Sequence, residues 1–238
     1  MEPAVSVKCK KEVSEASLGT TDLIVAAATG TNVSFYDMRC LREGPGGGKL
    51  GSDANVETSC VGEYSDVHTD TINALKFHPF RRTELLSAGE DGLVCCYDTN
   101  VTSNTDSVLS VFNVECDVRT LGLFGPELEG VYCLSTIESA SFWHLYSALR
   151  VVNLSGVRDT FQIDYLVDCV SAGTTGGVKL LAGTTDGVGV VLDIYPDRSQ
   201  KLFELDGGHE DVIRCGVSLK GGGLITGGED SKLCYFQM

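Results

Sequence analysis

The sequence predicts an all-β chain in which one small antiparallel sheet is repeated. Three observations carry that prediction. In HTDTINALKFHPFRRTELLSAGEDGLVCCYD, His68–Asp98, a His-containing turn precedes three short apolar runs, Ile72–Phe77, Leu85–Ala88 and Leu93–Tyr97, each bounded by polar or tight-turn residues. The same order returns at His209–Phe236, where Gly227-Gly228-Glu229-Asp230 stands for Ala88-Gly89-Glu90-Asp91. The positions that close each set of runs, Asp37, Asp98, His144, Asp193 and Gln237, recur at roughly 45 residues, with one longer interval that holds a Gly-rich stretch.

In chain order, Ala4–Cys9 alternates and reads as a strand that Lys10-Lys11-Glu12 breaks. Leu23–Ala28 and Val33–Tyr36 are strands about a turn at Thr29–Asn32. Leu41–Thr58 contains Gly44-Pro45-Gly46-Gly47-Gly48, is too Gly-rich for a strand, and reads as a flexible loop over residues 41–58. In the His68–Asp98 set, Gly89 and Gly92 can take the positive φ that a reversal needs. Val108–Val114 is read as the strand that opens the next set, completed by Val118–Phe124, Val131–Leu134 and Ala140–Trp143. Val151–Leu154 and Phe161–Ile163 are candidate edge strands. Leu166–Val170, Lys179–Ala182 and Val188–Leu192 form the fourth set, around Thr184-Thr185-Asp186-Gly187. Val212–Val217, Leu224–Thr226 and Leu233–Phe236 form the last.

These blocks, with their His turn, their GED reversal and their closing Asp, resemble the WD repeat, one blade of a β-propeller. The resemblance implies a WD40-type β-propeller in a single domain. Five blades are recognisable, near residues 1–40, 60–100, 108–146, 160–195 and 205–238. One blade cannot cover both faces of its sheet, and stacking blades about an axis does so. Rings of this kind usually hold seven blades, so the chain is expected to be an N-terminally truncated seven-bladed ring; a small or open ring is the alternative. The resemblance also implies a non-enzymatic scaffold that binds other proteins through loops on a rigid disc.

Charge and cysteine usage bound the partners. A net charge of −15 repels phosphate backbones, which argues against nucleic acid as a direct partner. It leaves an acidic surface that keeps the chain soluble or attracts a basic protein. The ten cysteines fall largely in apolar runs without a C-x-x-C pair, and the four histidines are scattered, so no zinc set and no cofactor is expected. Met1–Thr20 carries no signal-peptide pattern, and no apolar run approaches the ~20 residues of a membrane span. A reducing compartment, cytoplasm or nucleus, and no membrane association follow as expectations.

Carried over from WD repeats, a hydrogen-bonded set is expected within a blade. His68, Ser87 and Asp91 supply one, with Tyr97 in the usual Trp place. His209, Thr226 and Asp230 supply another, with Phe236, which cannot donate a hydrogen bond, in that place. The fourth copy keeps Asp186 but has Ala182 where the hydroxyl stands. The expected role is to satisfy buried polar groups and lock the turn. A Ser87–His68–Asp91 nucleophile triad is disfavoured because the residue types recur in another copy, and catalysis does not usually repeat.

Two groups are candidate partner contacts. Ile24–Arg39, IVAAATGTNVSFYDMR, resembles the box by which some WD proteins dock on the adaptor of a cullin–RING ubiquitin ligase. Tyr36 replaces its Trp, the ending Asp37-x-Arg39 is kept, and the acidic residue expected near Thr29–Gly30 is absent. Arg39 would offer its planar fork of donors, which makes a substrate receptor the alternative function. Phe80-Arg81-Arg82 is a basic and aromatic spot in an acidic chain. The turns His68–Asp70, Phe80–Thr83 and His209–Asp211 are expected on one face of the disc.

Overall fold

The computed structural model describes residues 9, 11–21, 23–39, 60–65, 67–171, 177–219 and 222–237. They form five antiparallel meanders, arranged in two compact units, Met1–Leu121 and Gly122–Met238.

Unit 1 holds two four-stranded sheets. The first runs β1 (Glu15–Leu18), β2 (Ile24–Thr29), β3 (Asn32–Asp37) and β4 (Cys60–Tyr64), in that spatial order. The second runs β5 (Ile72–Phe77), β6 (Glu84–Gly89), β7 (Leu93–Asp98) and β8 (Val108–Asn113). Ala26, Ala28, Phe35, Ile72, Leu75, Leu85 and Tyr97 are among the side chains packed between them. The small alanines of β2 let this neighbour approach closely, and Tyr97 and Leu85 fill the space.

Unit 2 holds the other three. β9 (Val118–Phe124), whose first residues precede the division, runs with β10 (Gly130–Ser135), β11 (Ala140–His144) and β12 (Leu149–Leu154). After helix α1 (Val157–Phe161) come β13 (Tyr165–Ser171), β14 (Val178–Gly183), β15 (Gly189–Ile194) and β16 (Ser199–Leu205). The last sheet has three strands, β17 (Ile213–Leu219), β18 (Gly223–Gly228) and β19 (Leu233–Gln237). Leu134, Phe142, Ile163, Leu180 and Leu192 form one core here, and Val167, Leu181, Val191, Ile213 and Leu224 a second.

The central strands are covered on both faces. In β10 every residue is buried, and in β6 all but the first, so these strands read as continuous rather than alternating apolar runs. Burying such Leu or Phe side chains stabilises by about 1.5–3 kcal/mol each.

Two strand assignments change. Val108–Asn113 does not open the third sheet; it pairs with β7 through Val94↔Phe112 and Cys95↔Val111 and completes the second. The chain reverses directly after Asp98, whose N–H donates to Ser107 O at 2.7 Å. Phe161–Ile163 is not a strand. One helical turn, α1, ends there, bounded by Gly156 at φ 74° and Gln162 at φ 56°, and Ile163 drops into the core. Three strands not anticipated, β1, β4 and β16, carry mostly exposed or half-buried residues and so lack an apolar run. The strand reading at Ala4–Cys9 lies outside the described residues except for Cys9, which is not in a strand, and the loop reading at 41–58 lies wholly outside them.

Candidate functional site

Turn networks come first, because they hold the residue types that could do chemistry. The tight turn between β6 and β7 brings Asp91 back over the start of β5. There its carboxylate accepts the backbone N–H of Thr69 at 2.9 Å and of Leu93 at 3.0 Å. His68 Nδ1 lies 3.0 Å from Asp91 Oδ1, and His68 Nε2 lies 2.7 Å from Ser87 Oγ, which is 2.9 Å from the Tyr97 hydroxyl. With a neutral imidazole, the Nδ1–H of His68 donates to the carboxylate, so Ser87 donates to Nε2 and Tyr97 donates to Ser87. Burial pushes the Tyr97 hydroxyl well above its usual range, which keeps it a donor. The Asp91 carboxyl is held below its usual range. Burial alone would raise it, and the hydrogen bonds from Thr69, His68 and Leu93 outweigh that.

The last sheet repeats the arrangement with Thr in place of Ser. His209 Nδ1 is 3.0 Å from Asp230 Oδ1, and His209 Nε2 is 2.8 Å from Thr226 Oγ1. Asp230 accepts the N–H of Glu210 at 3.0 Å and of Lys232 at 3.1 Å. The Phe236 ring, unable to extend the chain of donors, packs with the apolar core of its sheet. In the fourth sheet the equivalent turn is closed differently. Thr184 Oγ1 accepts the Val188 N–H at 3.3 Å, and Asp164 accepts both the N–H and the hydroxyl of Thr185.

By distance alone, Ser87, His68 and Asp91 have the geometry of a nucleophile triad. Ser87 is fully buried and capped by Tyr97, so no substrate reaches its hydroxyl. Among the described residues no group of three or more His, Cys, Asp or Glu is placed to hold a metal ion. The nine described cysteines are free thiols, and burial pushes those of Cys95 and Cys96 up to about 11 and about 12.

The candidate contact residues divide by exposure. Tyr36 and Asp37 are buried, each 7% exposed. The Tyr36 hydroxyl, pushed up to about 12 by burial and then by Cys9, sits 3.3 Å from Cys9 Sγ. Arg39 is exposed and folds back on Asp37, with Nε at 3.0 Å and Nη2 at 2.6 Å from its two oxygens. Phe80 is 67% exposed, and Arg81 and Arg82 are exposed beside it. What shapes this turn was not legible as a function: buried His78, whose Nδ1 accepts the N–H of Phe80 at 3.2 Å and of Arg81 at 3.0 Å. The signal available was a His directly after an apolar run and two residues before the Phe.

The expected single face does not hold in unit 1. β5 and β6 pair with Ile72 opposite Gly89 and Phe77 opposite Leu85. His68–Asp70 therefore lies at the Ile72 end of the sheet, and Phe80–Thr83 at the Phe77 end. A strand of this length separates its two ends by roughly 20 Å.

Consecutive small meanders, with imidazole–carboxylate pairs holding two of the turns, are the fold of a WD-type β-propeller. The chain is a WD40-repeat, β-propeller protein related to WD-repeat family members. It is 30% identical over 177 residues to the WD repeat-containing protein 89 homolog of Dictyostelium discoideum, covering 71% of this chain and 49% of that protein. It is 31% identical over 189 residues to the WD repeat-containing protein GTS1 of Arabidopsis thaliana, covering 71% of this chain and 48% of that protein. The chain thus spans about half the length of the curated relatives it matches. No family model matches it. Among solved structures, a chain of the mitotic checkpoint complex superposes with a TM-score of 0.67 at 13% identity, over 95% of this chain and 63% of that one. The β-propeller domain of Myceliophteria thermophila Cps50 (Swd1) superposes with a TM-score of 0.69 at 14% identity, over 100% of this chain and 68% of that one. At these identities the likeness is one of fold.

Proposed function

We propose that the chain is a non-enzymatic protein–protein interaction scaffold of the WD-repeat class. The observation that carries this reading is where the reactive residue types sit. His68, Ser87, Asp91, His209, Thr226 and Asp230 spend their hydrogen bonds inside turns, while aromatic and guanidinium groups such as Phe80 and Arg82 face solvent. Rigid sheets that present such groups on connections are suited to recognition rather than turnover. The test is the tagged 238-residue chain purified from cells, with retained proteins identified by mass spectrometry. A defined set, absent from the tag-only control, is expected; retention no different from the control sinks the reading.

Within the family, the order of the blocks VHTDTINALKFHPF, VYCLSTIESASFWHL and DYLVDCV supports grouping the chain with WD repeat-containing protein 89. The acidic balance supports a basic protein among the partners, and the many free thiols support the cytoplasm or nucleus, which imaging of a tagged chain tests.

A second reading, a substrate receptor of a cullin–RING ubiquitin ligase, is supported by Arg39. Its side chain is 68% exposed just past β3 and is aimed by the 10%-exposed carboxylate of Asp37. Arg39→Ala is expected to abolish co-purification with the adaptor. Unchanged co-purification removes this reading and leaves the scaffold.

A further inference from the structure

We propose that Arg39 and Phe80-Arg81-Arg82, far apart in sequence, form one recognition surface on unit 1 for an acidic, partly apolar segment of a protein partner. The proposal rests on the scaffold reading and reverses the partner charge that the net composition suggests.

Strand register brings the two clusters to one end. β1 runs beside β5 in the same direction. At one end of this pair Ser14 Oγ donates to Ile72 O, and Ile72 N donates to Gly30 O at 2.9 Å. At the other, Phe77 N donates to Ser17 Oγ at 2.9 Å, and a Cβ built at Gly19 would stand 3.8 Å from the Phe77 ring. Met38 N donates to Leu23 O at 2.6 Å, and Thr99 N to Thr83 O at 2.7 Å. The connections after β1, β3 and β5 therefore share the Phe77 end, with Arg39 on one side of β1 and Phe80-Arg81-Arg82 on the other.

The charges here are sorted by depth. In the Arg39–Asp37 pair the guanidinium side chain is 68% exposed and the carboxylate 10%. In the Arg81–Glu84 pair the values are 45% and 13%. Each pair is neutral as a whole yet shows its cation to solvent. Arg82, also exposed, has no ion pair or hydrogen bond among the described residues. Leu18, Leu23 and Phe80 add exposed apolar area at the same end. Asp106, exposed on the β7–β8 connection, and half-buried Asp98 at the start of that connection limit the cationic area on that side.

Planar guanidinium groups and an exposed aromatic ring at one end of the sheets fit carboxylates spaced by apolar side chains. The net charge of −15 opposes a long polyanion, whereas a short segment engages within the ~8 Å over which charges act at physiological salt.

The experiment uses the full chain and fluorescence anisotropy. Three labelled probes are compared: a short peptide alternating Glu with Phe and Leu, the same peptide with Lys for Glu, and a short duplex DNA. The Glu peptide is expected to bind and the other two to fail. Arg39→Glu and Arg82→Glu are each expected to weaken the Glu peptide about tenfold, the scale of one lost charge-assisted contact. Phe80→Ser is expected to weaken it in the same direction. Arg214→Glu, on the last sheet, is expected to leave it unchanged. Far-UV circular dichroism checks that each variant is folded. Equal binding of the Lys peptide or the duplex, or loss from one cluster alone, overturns the proposal. So do partners from the purification above that bind Arg39→Glu and Arg82→Glu chains as well as the native chain, an outcome that leaves the scaffold reading standing. Absence of any specifically retained partner defeats the scaffold reading itself.

Discussion

Replacing Ser87 by Ala removes one oxygen from the most buried part of the second sheet. Ser87 Oγ is 2.7 Å from His68 Nε2 and 2.9 Å from the Tyr97 hydroxyl, and all three side chains are buried. The substitution strands two polar groups where water has no path. Each stranded group costs about 1–3 kcal/mol, so the expected loss is about 2–6 kcal/mol. Tyr97→Phe alone leaves the Ser87–His68 bond in place and is expected to cost only about 1 kcal/mol. The two losses are not expected to add. Once Ser87 is Ala, removing the Tyr97 hydroxyl deletes a group already unsatisfied, so the double variant is expected to be no less stable than Ser87→Ala alone. Urea unfolding followed by circular dichroism measures the losses, and hydrogen exchange of β6 and β7 amides localises them. A Ser87→Ala loss below about 0.5 kcal/mol, or simple addition in the double variant, would refute the reasoning.

Acid should act through the same turns. Asp91 is held below the ordinary carboxyl value, and Asp230 is lowered to about 2, where burial acts upward and the hydrogen bonds from Glu210, His209 and Lys232 win. A folded value below the unfolded one, about 3.9, means that both groups stabilise the fold above about pH 4. That contribution is lost as pH falls from 4 toward 2; an acid titration of native and Asp91→Asn/Asp230→Asn chains, the latter flatter, tests it. Gly187 has φ 85°, and a Cβ there would stand 2.6 Å from the His209 carbonyl oxygen. Gly187→Ala is expected to cost about 1–3 kcal/mol or more and to speed exchange around His209–Asp211. Gly156→Ala, with φ 74° and nothing within 4 Å of the new Cβ, should cost less; thermal melts of the two variants compare them.

Legibility followed burial. Leu85–Ala88 and Val131–Leu134 belong to strands covered on both faces, and such strands write themselves as unbroken apolar runs. Glu15–Leu18, Cys60–Tyr64 and Ser199–Leu205 are strands held largely by backbone pairing, and no run marks them. Val108–Asn113 was legible as a strand, but a run of side chains does not say which neighbour it pairs with; the reversal at Ser107 decides that. The His, Asp and hydroxyl sets were legible from residue type and spacing, because a turn of fixed length returns Asp91 to His68 and Asp230 to His209. The separation of the His68 set from Phe80 was not, because it depends on which end of β5 each connection leaves. Nor was the burial of Tyr36, whose place between Phe35 and Asp37 looks no different on paper from an exposed one.

The offset between the written repeat and the folded sheet sets where this chain can be cut. An engineer who excised His68–Asp98 would take three strands, strip β8 of its partner, and bare the backbone of β7 along its length. Lifting out Ile72–Asn113 would remove a whole sheet, but would unseat Tyr64, whose hydroxyl reaches the carbonyls of Asp98 and Val101. Each of these two seams crosses a bond in space. Transplanting the second sheet into another host therefore means carrying β4, the last strand of the sheet before it, as well.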